Sequence, residues 1–230
     1  MTGADAPPAA SVAERLASVR RRMAAAALAA GRRPEEVTLV VVGKGQPLEA
    51  LAEAWAAGER RFGESRVQEA ARHWATPATG PWPGLELHLI GPLQTNKVRP
   101  ALKLFDAIHT LDRERLARAL KTEMAASGRR PDCYVEVNIG AESQKSGVAP
   151  EEAERFVALC RDELVLPVVG LMCIPPAAAE PSPYFALLRE IARRIGLPKL
   201  SMGMSADFEV AIAFGATHVR VGTAIFGART

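Results

Sequence analysis

Eight predicted strands that alternate with predicted helices constrain the fold of this chain more than any other feature. Strands that alternate with helices are typical of a parallel sheet covered by helices. Eight such units in one domain indicate a closed (β/α)8 barrel, that is, a TIM barrel of the α/β class. An open doubly wound sheet is the alternative, but no Gly-x-Gly-x-x-Gly sequence follows the first strand. The predicted strands are residues 37–43, 60–64, 85–91, 106–110, 133–138, 166–172, 199–202 and 217–221.

An additional helix is predicted before the barrel. Ser11 and Glu14 form a capping-box pattern at its start. Its apolar stripe consists of Val12, Leu16, Val19, Met23 and Leu28. Residues 1–10 are rich in alanine and proline, which predicts a disordered tail, and residues 11–230 are predicted to form a single domain.

Composition excludes several classes of protein. The chain is 48% hydrophobic and 24% charged, with a net charge of +3 and dispersed basic residues, which argues against a nucleic-acid interface. Its three cysteines lack the paired spacing of a disulfide framework or a zinc site, and they fit a reducing, cytoplasmic compartment. No apolar run approaches the ~18 residues of a membrane span, and no signal peptide is visible.

In a (β/α)8 barrel, functional residues collect at the carboxyl ends of the strands. Lys44 stands there, directly after the apolar run of residues 38–43. We expect its stem to lie in apolar surroundings, where desolvation lowers the pKa of the amine and makes it a nucleophile toward an aldehyde. The alternative is a lysine whose stem packs at a strand end while its charge reaches water.

The loops after the seventh and eighth strands often hold phosphate in such barrels. Ser201 to Ser205 form the first of these loops, and Ser205 precedes a helix predicted over 206–214. A hydroxyl beside unsatisfied helix N–H groups is suited to an anion. Gly222 and Thr223 supply a second small, donor-rich turn. Two capped turns without a ligand are the alternative.

Arg220 alternates with Val219 and Val221 in the last strand. If the two valines pack under helices, Arg220 points into the barrel. A buried arginine requires an anion or hydrogen-bond acceptors, and an ion pair with Glu136 is the alternative to a ligand. A reactive lysine, a phosphate site and an inward arginine in one barrel mouth match the aldehyde, phosphate and ring nitrogen of pyridoxal 5′-phosphate.

Several longer segments carry a resemblance to a known family. They are the strand that ends in Lys44 and residues 62–64, 88–91 with 93–97, 137–138, 145–148, 170–172, 200–209 and 219–227. On these segments the sequence resembles the pyridoxal phosphate homeostasis proteins. The resemblance implies a barrel like the N-terminal domain of alanine racemase, and a role in buffering or delivering pyridoxal phosphate without established turnover of a substrate.

The resemblance also implies roles for individual residues. Lys44 would form the Schiff base, Arg220 would face the pyridine nitrogen, and Ser205 would hold the phosphate with Gly222 and Thr223. The predicted cofactor-binding residues are Lys44, Asn138, Met172, Ser201, Ser205, Arg220, Gly222 and Thr223. The chain departs from the usual family residues at Gly43, Gly45, Ser65 and Pro92, where serine, threonine, asparagine and histidine are usual.

An amino-acid racemase or aldolase that uses the same cofactor is the alternative function. An arginine opposite the ring nitrogen keeps that nitrogen unprotonated, which makes the cofactor a poor electron sink. We also expect no second acid–base residue paired with Lys44, and no room after the barrel for a further catalytic domain before Thr230. The expected partners are pyridoxal phosphate and the apo-enzymes that use it, and the expected state is a monomer.

Overall fold

Eight parallel strands close into a barrel in which each strand pairs with its sequence neighbours and the last strand pairs with the first. The computed structural model describes residues 10–75 and 82–227. The strands are β1 (Thr38–Val42), β2 (Arg61–Glu64), β3 (Glu86–Leu89), β4 (Ala107–Leu111), β5 (Asp132–Glu136), β6 (Val168–Met172), β7 (Lys199–Ser201) and β8 (His218–Val221). The predicted (β/α)8 barrel is confirmed.

One helix follows each strand, and one precedes the first strand. The helices are α1 (Val12–Ala29), α2 (Leu48–Ala56), α3 (Val67–Trp74), α4 (Val98–Leu104), α5 (Glu114–Ser127), α6 (Ala153–Ala158), α7 (Ser182–Arg194), α8 (Phe208–Ala213) and α9 (Thr223–Phe226). The additional N-terminal helix is thus confirmed. The predicted disordered tail, residues 1–10, lies outside the described residues except for Ala10.

Helix α1 begins with the predicted capping box. The Glu14 N–H donates to Ser11 Oγ at 3.2 Å, and the Ser11 N–H donates to the Glu14 carboxylate at 2.8 Å. The helix packs against α8 and α9. Its buried residues are Val12, Leu16, Val19, Met23 and Ala27. Leu28 is 66% exposed, so its predicted place in the stripe is wrong, because Ala27 continues the buried row one residue earlier.

The last strand shows how the sequence divides side chains between the two faces of the barrel wall. Val219 and Val221 belong to the main apolar core between strands and helices. Arg220 is 4% exposed and hydrogen-bonds inside the barrel to Ser201, so its predicted inward orientation is confirmed. The interior of this barrel therefore holds polar side chains as well as apolar ones.

The loop after β2 and the end of β3 approach each other closely at the mouth of the barrel. A Cβ added to Gly91 would lie 2.3 Å from the Ser65 carbonyl oxygen and 2.8 Å from its Cα. Both contacts are with backbone, which cannot rotate away. Glycine at position 91 therefore permits the packing of these two loops.

We expect Gly91→Ala to destabilise the fold by about 1–3 kcal/mol, because the new methyl group must displace backbone. The neighbouring Pro92→Ala, at an exposed position, should cost less than about 1 kcal/mol. Reversible denaturant unfolding of both variants measures the difference. Equal stabilities for the two variants would contradict the close approach at Gly91.

Candidate functional site

A cavity of about 540 Å³ opens at the carboxyl ends of the strands. Its walls come from loops after several strands: Val42, Lys44, Gln46, Ser65, Ile90, Gly91, Pro92, Ile174, Met204, Ser205, Ala206, Arg220, Gly222 and Thr223. The structure thus brings the predicted Lys44, Ser205, Arg220, Gly222 and Thr223 to one cavity. We call it the mouth cavity.

Lys44 is exposed at the rim of the mouth cavity, beyond the last residue of β1. The predicted desolvation of its amine is therefore wrong, since the strand ends at Val42 and the lysine lies in the following turn. Among the described residues, no hydrogen bond or ion pair engages the Lys44 side chain. Its amine is thus available to a molecule in the cavity.

Backbone hydrogen bonds hold the turn that carries Lys44. The Gly43 N–H donates to the Gly63 carbonyl at 2.9 Å, which continues the β1–β2 pairing. The Gly45 N–H donates to Glu69 Oε1 at 2.6 Å. Gly45 has a φ of 68°, a conformation that favours glycine over the threonine usual in the family.

Gly43 lies directly over a buried carboxylate. A Cβ at this position would lie 2.9 Å from Glu64 Oε1 and 3.0 Å from Leu51 Cδ2. Glu64 is fully buried, where its Oε1 accepts from Trp74 Nε1 at 3.1 Å and lies 2.8 Å from His73 Nδ1. The hydrogen bond with Glu64 raises the pKa of His73. Glycine in place of the family's usual serine therefore fits the close packing beneath the lysine turn.

Ser205 joins the two loops that were predicted to hold phosphate. Its Oγ accepts from the Gly222 N–H at 3.3 Å and from the Ala224 N–H at 3.2 Å. Helix α8 begins at Phe208, so the start of the helix predicted over 206–214 is wrong, and Ser205 lies in a turn. The hydroxyl therefore caps the turn after β8 across the cavity wall.

Unused backbone donors remain in these two loops. Within residues 10–75 and 82–227, no acceptor is found for the N–H groups of Ser205, Ala206 and Thr223. All three residues line the mouth cavity. Adjacent free N–H groups of this kind form a favourable environment for an anion.

Arg220 supplies a buried positive charge at the floor of the cavity. Its Nη1 donates to Ser201 Oγ at 2.7 Å, and its Nη2 donates to the Cys173 carbonyl at 3.0 Å. Burial lowers the pKa of the guanidinium. The alternative ion pair with Glu136 is wrong, since no ion pair of Arg220 occurs in the described part of the chain. Its remaining donors are available to the cavity.

Three predicted site residues do not line the cavity. Ser201 is fully buried beneath Arg220, and Met172 is 1% exposed in the barrel interior beside Tyr134. The Asn138 side-chain amide donates to the Glu142 carbonyl at 2.8 Å, so it organises the loop after β5. Asn138 lies outside the cavity wall because β5 ends at Glu136, two residues earlier. Met172 and Ser201 lie outside it because they are deep in the barrel.

The sequence interpretation missed the apolar part of the cavity wall. Ile174 and Met204 are large apolar residues that are 37% and 38% exposed, and both line the cavity with Ile90. Each follows the end of a strand, which is the signal that could have found them. A pocket with an apolar wall and a few polar groups is typical of small-molecule sites.

Three further observations concern metal ligands, membrane spans and a second cavity. No group of His, Cys, Asp and Glu there is arranged to hold a metal ion. No helix there is both long and apolar enough to cross a membrane. A cavity of about 700 Å³ at the opposite end of the barrel is lined by charged and uncharged residues and contains none of the predicted site residues.

The fold and the site define a class of protein, the barrels of the alanine racemase type. The family model described as "Alanine racemase, N-terminal domain" matches residues 15–230. Two curated relatives have the name pyridoxal phosphate homeostasis protein. The one from Escherichia coli K12 is 42% identical, with 95% of this chain and 97% of that protein covered. The one from Pseudomonas aeruginosa is 43% identical, with 95% and 96% covered.

A solved structure leads to the same family. PipY of Synechococcus elongatus, determined with PLP bound, is 36% identical and superposes with a TM-score of 0.79, with 94% of this chain and 100% of that chain covered. The chain therefore belongs to the family of pyridoxal phosphate homeostasis proteins, as its sequence predicts.

Glu136 generates a prediction about stability. Burial raises the pKa of its carboxyl to about 7, and the negative charge of Asp112 adds to the effect. Its Oε2 is buried without a hydrogen-bond partner among the described residues. Since the unfolded carboxyl ionises near its ordinary value of 4.5 and the folded one only near 7, stability falls as pH rises between these values.

We expect Glu136→Gln to remove this fall and to be about 1–3 kcal/mol more stable than the wild type at pH 8. The two proteins should have similar stability near pH 4. Denaturant unfolding across this pH range measures the effect, with exposed Glu151→Gln as the control. Parallel pH profiles for wild type and Glu136→Gln would rule out the raised pKa.

Proposed function

We propose that this protein binds pyridoxal 5′-phosphate in the mouth cavity and buffers or delivers the cofactor. The observation that carries this proposal is that one cavity holds a buried arginine together with a lysine amine and backbone N–H donors that have no partner among the described residues. The apolar side chains between them suit an aromatic ring. The PLP bound in PipY and the names of the curated relatives support the same cofactor.

Lys44 is the residue we assign to the covalent link. Pyridoxal phosphate supplies an aldehyde that condenses with a lysine amine, with loss of water, to a Schiff base. The Lys44 residue is exposed, so water reaches the link and can hydrolyse it. A site that both loads and releases its cofactor fits this exposure better than a closed catalytic site does.

The phosphate is assigned to the joined loops after β7 and β8. Ser205 Oγ already accepts two N–H groups, so its own O–H remains to donate. The N–H groups of Ala206 and Thr223 add backbone donors on the same wall. Together they hold an anion without a lysine or arginine, which leaves Arg220 for another part of the ligand.

Arg220 is assigned to the ring nitrogen. A guanidinium only donates hydrogen bonds, so it favours the unprotonated form of a ring nitrogen opposite it. An unprotonated ring withdraws electrons weakly, which disfavours chemistry that builds negative charge on a bound amino acid. This property supports a carrier over an enzyme.

An amino-acid racemase or aldolase remains the second candidate, because the family model covers barrels of this type. Such chemistry needs an acid–base group beside the lysine. Lys44 and Arg220 are the titratable side chains in the cavity wall that the structure describes. Tyr134 lies in the barrel interior, where it is 1% exposed and hydrogen-bonded to His218, so it does not serve as the acid–base group.

We further propose that the protein acts as a cytoplasmic monomer and that apo-enzymes dependent on pyridoxal phosphate receive the cofactor from it. The exposed rim around Lys44 and Pro92 supports the transfer to apo-enzymes, since it leaves the loaded site open to a recipient. The cofactor can reach a recipient by release into solution or by direct contact between the two proteins. Adding apo-enzyme either across a dialysis membrane or to the same compartment distinguishes these two routes.

We expect Lys44→Ala to abolish the visible Schiff-base absorption that the wild type gains with pyridoxal phosphate, and to weaken binding at least about tenfold. Lys44→Arg, which keeps the charge without an aldehyde-reactive amine, should behave in the same way. Absorption titration and equilibrium dialysis give the two readouts. Lys97→Ala, at a half-buried lysine of the neighbouring loop, is the control and should bind as the wild type. A Lys44→Ala spectrum equal to that of the wild type would refute the assignment.

We expect the loaded protein to exchange the α-proton of amino acids in D₂O no faster than free pyridoxal phosphate does. The physical reason is that the described part of the cavity wall offers no acid–base partner beside Lys44. NMR of each amino acid in D₂O measures the exchange. Exchange at enzyme-like rates that Lys44→Ala abolishes would favour the racemase alternative.

A further inference from the structure

A continuous chain of hydrogen bonds crosses the interior of the barrel. It begins at Glu86, at the N-terminal end of β3, whose Oε1 lies 3.0 Å from His88 Nε2. His88 Nδ1 lies 2.9 Å from His109 Nε2, and His109 Nδ1 lies 2.8 Å from Ser201 Oγ. Arg220 Nη1, in the wall of the mouth cavity, donates to the same Ser201 oxygen at 2.7 Å. The chain thus joins the two ends of the barrel.

The residues between the two ends of this series of hydrogen bonds are shielded from water. His109 and Ser201 are fully buried, and His88 is 1% exposed. Arg220 is 4% exposed, whereas the Glu86 side chain is 42% exposed and also pairs with Arg61. Buried hydrogen bonds of this kind polarise one another and fix the orientation of each member.

The residues at the two ends limit which group donates and which accepts in each hydrogen bond of the series. Arginine can only donate and an ionised carboxylate can only accept. With both rings neutral, Ser201 accepts from Arg220 and donates to His109 Nδ1, and each histidine donates its Nε2–H to the next acceptor, which ends the series at Glu86. This order requires both His88 and His109 to be neutral with the proton on Nε2.

The pKa shifts of His109 and Glu86 agree with that order. Burial lowers the pKa of His109 well below its ordinary value, so this ring is neutral at pH 7. The hydrogen bond with His88 lowers the pKa of Glu86 to about 2, so its carboxylate is ionised. A positive end at the mouth and a negative end at the opposite rim are thus connected through neutral groups.

We propose that Glu86, His88, His109 and Ser201 form a positioning relay that fixes the Arg220 guanidinium in the wall of the mouth cavity. Arg220 lacks an ion pair in the described part of the chain, so its orientation depends on Ser201 Oγ and the Cys173 carbonyl. Ser201 is oriented in turn by His109 and, through His88, by a carboxylate at the far end of the barrel. Ser201, which belonged to the predicted cofactor-binding set, thereby acts on the ligand through Arg220.

A second polar group in the same interior lies outside the relay. The Tyr134 hydroxyl lies 3.2 Å from His218 Nε2, and His218 Nδ1 lies 2.9 Å from Thr217 Oγ1. Tyr134 is 1% exposed and stacks on His109 with ring centroids 4.3 Å apart. Tyr134→Phe keeps this stacking and deletes one buried hydroxyl, so it is a matched control for Ser201→Ala.

The first test uses the apo-protein and does not depend on the proposed function. Long-range nitrogen–proton NMR correlations of the histidine rings report tautomer and charge. We expect His88 and His109 to be neutral Nε2–H tautomers at pH 7, and Ser201→Ala to mix the tautomers of His109. Tyr134→Phe should leave both rings as Nε2–H. A charged His109, or a proton on its Nδ1 in the wild type, would overturn the relay.

The second test rests on the proposed function and measures the affinity for pyridoxal phosphate. We expect Ser201→Ala to weaken binding about tenfold and Glu86→Gln, remote from the ligand, about threefold. Asp132→Asn is the matched control for the remote variant, because Asp132 also begins a strand and is also 42% exposed. Asp132→Asn and Tyr134→Phe should bind as the wild type, and melting temperatures show whether each variant is folded.

The outcomes of the two tests are separable. A wild type without affinity for pyridoxal phosphate would refute the proposed function, whereas the tautomers would still decide the relay. Wild-type affinity in folded Ser201→Ala and Glu86→Gln would overturn the role of the relay in cofactor binding. Equal losses in Glu86→Gln and Asp132→Asn would overturn it as well, because they would show a general effect of charge at that end of the barrel.

Discussion

The pairing of β8 with β1 is the constraint on which the rest of the structure depends. Val41 lies opposite Val221 in this pairing, and Gly222 follows so closely that an added Cβ would lie 3.2 Å from Val42 Cβ. Parallel strands place their carboxyl ends at the same edge, so closure brings the turn of Lys44 beside the turn after β8. Helix α1 packs on α8 and α9 and supports this closure from outside. A site formed from the two ends of the chain exists only in the closed barrel.

Much of this arrangement could be predicted from the sequence, because strand period and strand ends are local properties. The alternation of Val219, Arg220 and Val221 was sufficient to place the arginine inside the barrel. The surroundings of Lys44 could not be predicted in this way, because they depend on where β1 ends relative to neighbouring loops. Asn138 lies in the loop after β5 and Met172 lies deep in the barrel, and these positions depend on where β5 ends and on strand register, which the sequence does not specify. The relay was missed for the same reason, since its members come from separate strands.

The site combines firm positioning of one charge with exposure of the reactive amine. Arg220 is held by buried hydrogen bonds, whereas Lys44 lies at the rim in a turn flanked by glycines. An enzyme that manipulates protons benefits from excluding water around its nucleophile, and this cavity does not exclude it. The proposed recognition of the ring and phosphate by fixed groups, with the proposed covalent link open to hydrolysis, is the combination expected of a protein that holds a reactive cofactor and gives it up.

The central claim is that the cofactor is linked to Lys44 in the mouth cavity. The most direct measurement is borohydride reduction of the protein loaded with one equivalent of pyridoxal phosphate, followed by peptide mapping with mass spectrometry. We expect a single major site of modification on the peptide that contains Lys44, and its loss in Lys44→Arg. Modification spread over several surface lysines, or unchanged in Lys44→Arg, would contradict the claim.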